Sequence, residues 1–331
     1  MDNQLYFWNN YPIIQEQLMQ VNEIIHAEIN KVNGKVGLAL RDSFAVNGKL
    51  LRPALVLMFA QFAELDKNTK RRMLNVATAV EFLHNATLIH DDIIDESKMR
   101  RGVPSIQAKY GKHVAVYAGD YLFALCFKLL SDNGKSMKSL QFDGRTMQGI
   151  LGGELQQLDH AYDLNLTKND YLEQIKGKTG LLFGLSCFLG TYESGLKISL
   201  ARQAAEYGEI MGQAFQVKDD ILDYTMSANQ LKKPVLLDVK NGIYSGPLIF
   251  ALERDKDATL RTLVAKKQEL TPAELREIER LVNELGGVQV ANELADELTA
   301  KSIKLLKQKF PENKARADIE QLTAQLISRT Y

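Results

Sequence analysis

Cysteine and proline are scarce in this chain, with two cysteines and seven prolines among 331 residues. Cys126 and Cys187 lie far apart among apolar residues, which excludes a disulfide framework and predicts reduced core thiols in a cytoplasmic protein. Because proline is rare and alternating β-branched runs are few, helical periodicity extends along nearly the whole sequence. The composition therefore predicts an all-α protein.

Net charge and long apolar runs are also lacking. The 41 lysines and arginines balance the 41 aspartates and glutamates, so no overall field recruits nucleic acid or acidic lipid. Local basic sites stay possible. The N-terminus has no basic region followed by an apolar stretch, and the uncharged run 179–192 is well short of the about 20 residues that cross a membrane. We expect no signal peptide, no stable membrane insertion and no nucleic-acid partner.

The helical pattern continues without a change of composition that would mark a linker. We therefore expect one domain over residues 1–331, an antiparallel bundle in which amphipathic helices bury their apolar stripes against each other. Thr271 and Glu274 predict a capping box, Thr167 and Asp170 a weaker one, and residues 34–37, 132–134 and 194–195 predict turns. The predicted helices are 5–31, 50–64, 67–95, 105–131, 138–160, 168–193, 199–226, 240–255, 257–269, 272–286, 287–309 and 312–330.

An Asp-Asp-x-x-Asp motif occurs twice, at 91–95 and 128 residues later at 219–223. In a helix, positions i and i+4 share a face, so Asp91 projects with Asp95 and Asp219 with Asp223. One such motif is more often a solvated face. Two of them within apolar segments predict the walls of an acidic cleft that divalent ions fill, because unpaired carboxylates are costly there and hard cations prefer oxygen ligands.

Cationic and polar residues accompany both motifs. Lys49 and Arg52 lie about one turn apart, His84 precedes the first motif, and Arg100 and Arg101 follow it. Each alone fits surface charge or a core histidine, but carboxylates with arginines favour a metal-bound polyphosphate. The residues near the second motif that extend this pattern are Lys178, Thr179, Gln216, Lys232 and Lys233.

From about Gly48 to Leu248, this ordered set of motifs resembles the trans-isoprenyl diphosphate synthase family, also called polyprenyl synthetases. The resemblance implies the isoprenoid synthase type I fold around a deep cavity, usually as a homodimer and in some members as a heteromer with a regulatory subunit. It implies condensation of isopentenyl diphosphate with an allylic diphosphate and three Mg²⁺ ions. The implied direct ligands are Asp91, Asp95 and Asp219, supported by Asp92, Asp220 and Asp223, with Lys178 joining Asp91, Asp92, Asp95, Asp219 and Asp220 in catalysis. The implied contacts of isopentenyl diphosphate are Lys49, Arg52, His84 and Arg101, and those of the allylic diphosphate are Arg100, Lys178, Thr179, Gln216 and Lys233.

Product length depends, by the same resemblance, on the residues before the first motif. Thr87 lies one turn before Asp91, about 6 Å deeper along the same helix face, and Ala86 is its neighbour. Aromatic residues here stop growth early in the family, whereas alanine and threonine leave the channel open. The expected product is hexaprenyl to octaprenyl, with geranylgeranyl as the shorter alternative. The channel floor is placed at Phe123 or Phe127, and Tyr117 and Tyr121 are expected in the core.

Three positions depart from the family pattern. Lys232 and Leu236 stand where glycines are usual, and Ile243 replaces a lysine that helps to bind diphosphate. These changes predict a less ordered loop, weaker closure over the substrate, or a requirement for a partner subunit.

Three other functions share part of this pattern. A class I terpene cyclase shares the first motif but lacks a second diphosphate clamp, and a non-catalytic subunit would have lost aspartates. A di-metal helical protein would use the Glu-x-x-His pairs at Glu23 and Glu81, but it leaves both aspartate motifs unexplained.

Overall fold

The computed structural model describes residues 5–46, 48–225 and 236–328. The chain divides into two compact units, which are described separately. The first comprises the described parts of Met1–Gly144, Leu185–Ala205 and Pro311–Ile319, and the second those of Arg145–Gly184, Glu206–Phe310 and Glu320–Tyr331. The single-domain organisation stays a prediction.

Helices make up nearly all of the regular structure, which confirms the all-α prediction. Two-residue strands β1 and β2 form the one short hairpin of the described residues. In chain order, the longer helices are α1 Pro12–Ile29, α2 Gly34–Ala45, α3 Leu51–Ala60, α4 Lys67–Ile94, α6 Lys112–Asn133, α7 Met137–Asp159, α8 Lys168–Ile175, α9 Leu181–Glu193, α10 Ile198–Leu222, α14 Pro272–Glu284, α15 Gly287–Lys309 and α16 Lys314–Ile327. The short elements are the 3-10 helices Leu5–Trp8 and Lys267–Glu269, β1 Met99–Arg100, β2 Val103–Pro104, α5 Ile106–Tyr110, the π-helix Lys176–Gly180, α11 Leu237–Lys240, α12 Gly246–Leu252 and α13 Thr259–Val264.

The core of the first unit forms around α3 and α4. Helix α3 is buried from Pro53 to Ala60, because every residue of this stretch is small or apolar. Helix α1 buries Ile14, Leu18 and Val21, which recur at helical spacing. Gly190 allows α9 to approach α3 closely, since a Cβ atom there would lie 2.3 Å from the Val56 carbonyl oxygen.

The core of the second unit gathers apolar residues from α8, α10 and α12 to α15. Glycine permits two close contacts here. A Cβ atom on Gly208 would lie 2.6 Å from the Phe183 carbonyl oxygen, and one on Gly153 would lie 2.7 Å from the Cα of Gly177. The second contact places α7 against the π-helix, as expected for glycines at a helix crossing.

Several predicted helices are divided in the structure. Residues 34–37 are not a separate turn: α2 begins at Gly34, whose φ of +72° lets the chain enter the helix. The predicted helix 105–131 breaks at Gly111, with φ +88°, into α5 and α6. The predicted helix 168–193 is interrupted by the π-helix, and the predicted helix 5–31 by residues between Trp8 and Pro12.

Helix α6 is the one helix of the described residues that is long and apolar enough to cross a membrane. Forty-four per cent of its most apolar window is buried within the protein. The buried side chains include Ala115, Ala118 and Leu122, at the spacing of a helix face that packs in a core. Part of its apolar character is therefore explained by burial inside the first unit.

Candidate active site

The first aspartate motif lies at the C-terminal end of α4. Asp91 is half-buried and Asp95, the residue that follows the last helical turn, is exposed. Asp92 points to another side of the helix and is 5% exposed. The Arg100 Nε donates hydrogen bonds to both carboxylate oxygens of Asp92, at 3.0 and 3.2 Å. Asp92 therefore anchors the β1–β2 hairpin, while its neighbours in the motif occupy the helix end.

The hairpin that follows α4 positions the two adjacent arginines. Arg100 pairs with Val103 across the hairpin, and Arg101 takes the left-handed φ of +51° at the turn. The Arg101 Nη1 donates to the Val46 carbonyl oxygen at 3.1 Å. A Cβ atom on Gly48 would lie 2.7 Å from this guanidinium, so the Arg101 side chain packs closely on the glycine that precedes Lys49.

His84 and Arg52 meet directly in the first unit. The Arg52 Nη1 lies 3.0 Å from the His84 Nε2. A guanidinium only donates, so Nε2 accepts and the proton of the neutral ring is assigned to Nδ1. Burial lowers the pKa of His84 well below 6.5, and the positive charges of Arg52, Arg101 and Arg100 lower it further. His84 is therefore a neutral group among cations.

Glu81 supplies a buried negative charge near the same arginines. It is 3% exposed and accepts a hydrogen bond of 2.8 Å from the Asn85 Nδ2. Burial raises the pKa of Glu81, and Arg101, Asn85 and Arg52 act in the opposite direction. Sequence reasoning gave Glu81 no role at this site, although a glutamate inside an apolar stretch of α4 was the available signal.

A cavity of about 280 Å³ opens beside the hairpin. Its wall includes Asp92, Arg100 and Arg101, together with the apolar side chains of Leu88 and Ile89. The predicted clamp residues Lys49, Arg52 and His84 are not part of this wall.

The residues expected to set chain length lie on α4 and α6. Ala86 is fully buried, and the half-buried Thr87 donates its hydroxyl to the His84 carbonyl oxygen at 2.8 Å. The Phe123 ring stacks on His90, with centroids 5.5 Å apart and planes at 18°. His90 also packs on Gly119, where a Cβ atom would lie 2.6 Å from the imidazole.

Three aromatic residues of α6 lie elsewhere than the sequence indicated. Tyr117 and Tyr121 are 67% and 37% exposed, so their expected place in the core is wrong. Phe127 is 50% exposed, which argues against it as a channel floor within one chain. These residues follow the helical period but occupy the outer face of α6.

The second aspartate motif lies at the C-terminal end of α10, where a series of side-chain hydrogen bonds holds it. Asp219 and Asp223 are half-buried. Asp220 accepts from the Tyr171 hydroxyl at 2.7 Å and from the Gln216 Nε2 at 2.9 Å. The Thr179 hydroxyl donates to the Gln216 Oε1 at 2.6 Å, so three of the predicted site residues form one network. Lys178, another residue predicted for this region, is exposed.

Asp220 is an unusual carboxyl within this network. Burial raises its pKa to about 6, and Asp219 adds to the rise, while Tyr171, Gln216 and Lys178 oppose it. The two hydrogen-bond donors therefore partly offset the effect of burial on this carboxyl group.

Tyr171 is a site residue that sequence reasoning missed. It is 1% exposed, and its ring packs so tightly on Gly246 that a Cβ atom there would lie 2.6 Å away. A tyrosine at an apolar helix position is typical of a core residue, and nothing in the sequence connects it with a carboxylate 49 positions later.

The departures from the family pattern fall partly outside the described residues, since Lys232 and Lys233 lie there. Leu236 is described and is 2% exposed. Its φ of +57° falls in the left-handed region, where a leucine costs roughly 1–2 kcal/mol and a glycine does not. Ile243 donates its backbone N–H to the Asp238 carbonyl oxygen at 2.8 Å.

The aspartate motifs fit magnesium by the chemistry of their donors. No group of three or more His, Cys, Asp or Glu side chains within the described ranges is placed to hold a metal ion by itself. Mg²⁺ is usually held by one or two carboxylates, with water and substrate phosphates completing its octahedron. Asp91 and Asp95 at the C-terminal end of α4, and Asp219 and Asp223 at the C-terminal end of α10, are such carboxylate pairs.

Known proteins share this fold and sequence pattern. The polyprenyl synthetase family profile matches residues 35–285. Heptaprenyl diphosphate synthase component 2 of Geobacillus stearothermophilus is 32% identical over 323 residues, which cover 97% of this chain and 98% of that protein. The geranylgeranyl pyrophosphate synthase structure from Lactobacillus brevis is 34% identical, with a TM-score of 0.89 over 98% of this chain and all of that one.

A third relative is the polyprenyl synthase from Caulobacter crescentus, whose structure is complexed with calcium and isoprenyl diphosphate. It is 32% identical, with a TM-score of 0.88, and 97% of each chain is covered. This chain therefore belongs to the polyprenyl synthetase family and is an enzyme, a prenyltransferase with the all-α isoprenoid synthase fold.

Proposed function

We propose that the protein is a magnesium-dependent trans-polyprenyl diphosphate synthase. It extends an allylic diphosphate with isopentenyl diphosphate and yields a medium-to-long all-trans product, from hexaprenyl to octaprenyl. The observation that carries this proposal is the pair of intact aspartate motifs, each flanked by cationic and polar side chains within its own unit. The divalent ion and isoprenyl diphosphate in the Caulobacter relative support the same assignment.

Substrate binding follows from the charges. Lys49, Arg52 and Arg101 hold the diphosphate of isopentenyl diphosphate, with neutral His84 fixing Arg52 through its Nε2. By the family resemblance, Lys178, Arg100 and Lys233 contact the allylic diphosphate, and Thr179 and Gln216 complete its site. Asp91, Asp95 and Asp219 are the direct magnesium ligands, with Asp92, Asp220 and Asp223 in support, for three ions in all.

The reaction needs charge stabilisation and exclusion of water. Bound magnesium would supply the positive charge that stabilises the departing pyrophosphate. The allylic C–O bond breaks, and the double bond of isopentenyl diphosphate attacks the resulting carbocation to form a carbon–carbon bond. A proton then passes to the pyrophosphate. Lys49, Arg52 and Arg101 contribute by holding the second substrate close, and no side chain acts as nucleophile.

Chain length is assigned from the small residues on α4. Ala86 and Thr87 leave room where larger side chains would stop growth, and Phe123, stacked on His90, is the proposed floor. The heptaprenyl relative agrees with this length. A geranylgeranyl product is the second candidate, because the Lactobacillus brevis relative, at 34% identity, carries that name.

We also infer that the protein is a cytoplasmic homodimer. Val116, Tyr117, Tyr121 and Phe127 form an exposed apolar face on α6, which a second copy would cover. The name "component 2" of the Geobacillus relative points to the alternative, a heteromer with a regulatory subunit. Both cysteines are fully buried in the apolar core, which supports core thiols in a reducing compartment.

The test is prenyl transfer by the purified protein. With magnesium, isopentenyl diphosphate and farnesyl diphosphate, we expect products of six to eight isoprene units and complete loss of activity with a chelator. Asp91→Asn and Asp219→Asn should each lower kcat by about a hundredfold or more, because each removes a charged ligand. Asp132→Asn, an exposed carboxylate that pairs with Lys128, is the matched control and should keep wild-type activity. Transfer that persists without divalent ions would contradict the proposal.

A further inference from the structure

An aromatic cluster at the start of the described chain contacts the predicted clamp. Phe7, Trp8 and Tyr11 pack edge to face, with centroids of 5.0 Å between the first pair and 5.7 Å between the second. Trp8 is fully buried, although it lies in a single 3-10 turn. This cluster of Phe7, Trp8 and Tyr11 is called the N-terminal aromatic cluster below.

The cluster holds Lys49 at two points. The Trp8 Nε1 donates a hydrogen bond of 2.7 Å to the Lys49 carbonyl oxygen, across 41 residues of sequence. The Lys49 Nζ lies 5.0 Å from the centroid of the Phe7 ring, within the range of a cation–π interaction. Both the backbone and the ammonium group of Lys49 are therefore fixed by the same segment.

The backbone contact extends to the rest of the clamp. Lys49 is followed by Leu50, whose left-handed φ of +53° begins α3, and Arg52 lies in the first turn of that helix. A buried indole N–H that loses its acceptor leaves an unsatisfied donor, so Trp8 opposes movement of this strained junction. The cluster thus stabilises the backbone conformation from which the Lys49 and Arg52 side chains extend.

The ring contact acts on the charged end of Lys49. A free lysine side chain samples many rotamers, and ordering it on binding an anion opposes that binding. The face of Phe7 orders the ammonium before an anion binds, which reduces that cost. One ammonium group can contact a ring face and a diphosphate at the same time. Phe7 therefore does not compete with the diphosphate for Lys49, and its ordering of the lysine side chain favours binding.

We propose that the N-terminal aromatic cluster is a positioning element of the isopentenyl diphosphate site, and that occupation of that site is sensed by Trp8. The proposal rests on the proposed function for the identity of the ligand. Phe7 and Trp8 are positioning residues that act through Lys49. Trp8 is the single tryptophan of the chain, so tryptophan emission reports on the surroundings of this one side chain.

The kinetic test uses Phe7→Leu, which keeps an apolar side chain but removes the ring. We expect the KM for isopentenyl diphosphate to rise about three- to tenfold, with kcat and the KM for farnesyl diphosphate within twofold of wild type. Tyr6→Leu, at a neighbouring aromatic residue that is 63% exposed, is the matched control and should change neither constant. An unchanged KM for isopentenyl diphosphate in Phe7→Leu overturns the proposal.

The binding test needs no catalysis. Titration of the wild type with inorganic pyrophosphate should shift the Trp8 emission, and the shift should disappear in Lys49→Met. A response of equal size in Lys49→Met, or none in the wild type, overturns the proposal. Failure of the wild type to transfer prenyl groups would contradict the proposed function instead, and the fluorescence titration would still test the contact with Lys49.

Discussion

His84 shows how a single residue of the site depends on its surroundings. The same sequence position fits a core histidine or a substrate ligand, and the structure places it against the Arg52 guanidinium. Burial and three arginines keep its pKa well below 6.5, so the folded protein binds no proton there at neutral pH. The unfolded chain does bind one as the pH falls below the ordinary value of 6.5, and this difference links stability to pH.

A substitution at His84 should change that pH dependence. Because the folded pKa is depressed, the wild-type free energy of unfolding is highest above pH 6.5 and falls as the pH decreases below it. In His84→Gln this loss disappears, so the variant should lose less stability between about pH 7.5 and 5.5 in urea unfolding. His113→Gln, on the exposed start of α6, is the control and should follow the wild type. Equal slopes for His84→Gln and the wild type would show that the site does not depress the pKa.

Thr87 is the residue at which product length should be adjustable. Thr87→Phe places a ring one turn before Asp91, which should block the proposed channel and shorten the product to farnesyl or geranylgeranyl. Thr87→Ser keeps the hydroxyl that donates to the His84 carbonyl oxygen and should keep the product length. Chromatographic sizing of the dephosphorylated products measures both. An active Thr87→Phe variant with full-length product would refute the channel assignment.

The sequence predicts which aspartates share a helix face, but not how their roles divide. Helical spacing alone predicts that Asp91 shares a helix face with Asp95, and that Asp219 shares one with Asp223. Asp92 and Asp220, the middle aspartates, accept hydrogen bonds from other side chains of the protein. The donors are Arg100 in the hairpin and Tyr171, respectively. Neither partner follows from periodicity, because one depends on a two-residue strand and the other on tertiary packing.

At the scale of elements, features that depend on neighbouring residues were predicted from the sequence, whereas features that depend on tertiary contacts were not. The capping boxes at Thr271 and Thr167 are both confirmed, because a cap involves residues only three positions apart. The break at Gly111 and the π-helix Lys176–Gly180 were not predicted. The π-helix packs through Gly177 on Gly153 of α7, so its cause lies in a contact that the local pattern does not contain.

The hydrogen bond from α8 to α10 offers a test of how one element supports another. Tyr171→Phe removes a donor from the half-buried Asp220, which should lower the free energy of unfolding by about 1–3 kcal/mol and lower kcat about tenfold. Tyr207→Phe is the matched control, since that buried hydroxyl forms a hydrogen bond with the neutral hydroxyl of Thr323. It should cost about 1 kcal/mol and leave kcat within twofold. Equal effects of the two variants on kcat would indicate a purely structural role for Tyr171.

At the scale of the whole molecule, the outer face of α6 is the feature that one copy of the chain leaves unexplained. Helix length and periodicity were predictable, but the sequence could not show which apolar face packs inside the unit and which stays outside. Tyr117 and Phe127 lie on the outer face, and both are at least half exposed. An exposed apolar stripe of this kind marks an interaction surface.

Sedimentation should show the wild type at twice 37.2 kDa. A double substitution, Tyr117→Asp with Phe127→Asp, places charge on the proposed interface and should shift the protein to the monomer mass. Tyr6→Asp adds a charge at an exposed aromatic residue away from α6 and should leave the mass unchanged. A monomeric wild type would contradict the homodimer, and activity that appears only with a second polypeptide would support the heteromer.

The hydrogen bonds that hold Asp92 and Asp220 bear on how a synthase would repeat its reaction. A synthase that adds several isoprene units must discharge pyrophosphate, with its ions, after each addition and then reload. Arg100 donates to Asp92 and Tyr171 donates to Asp220, so each motif would keep one of its carboxylates in place when the proposed ions leave. The two acidic surfaces would then not have to form again between one addition and the next.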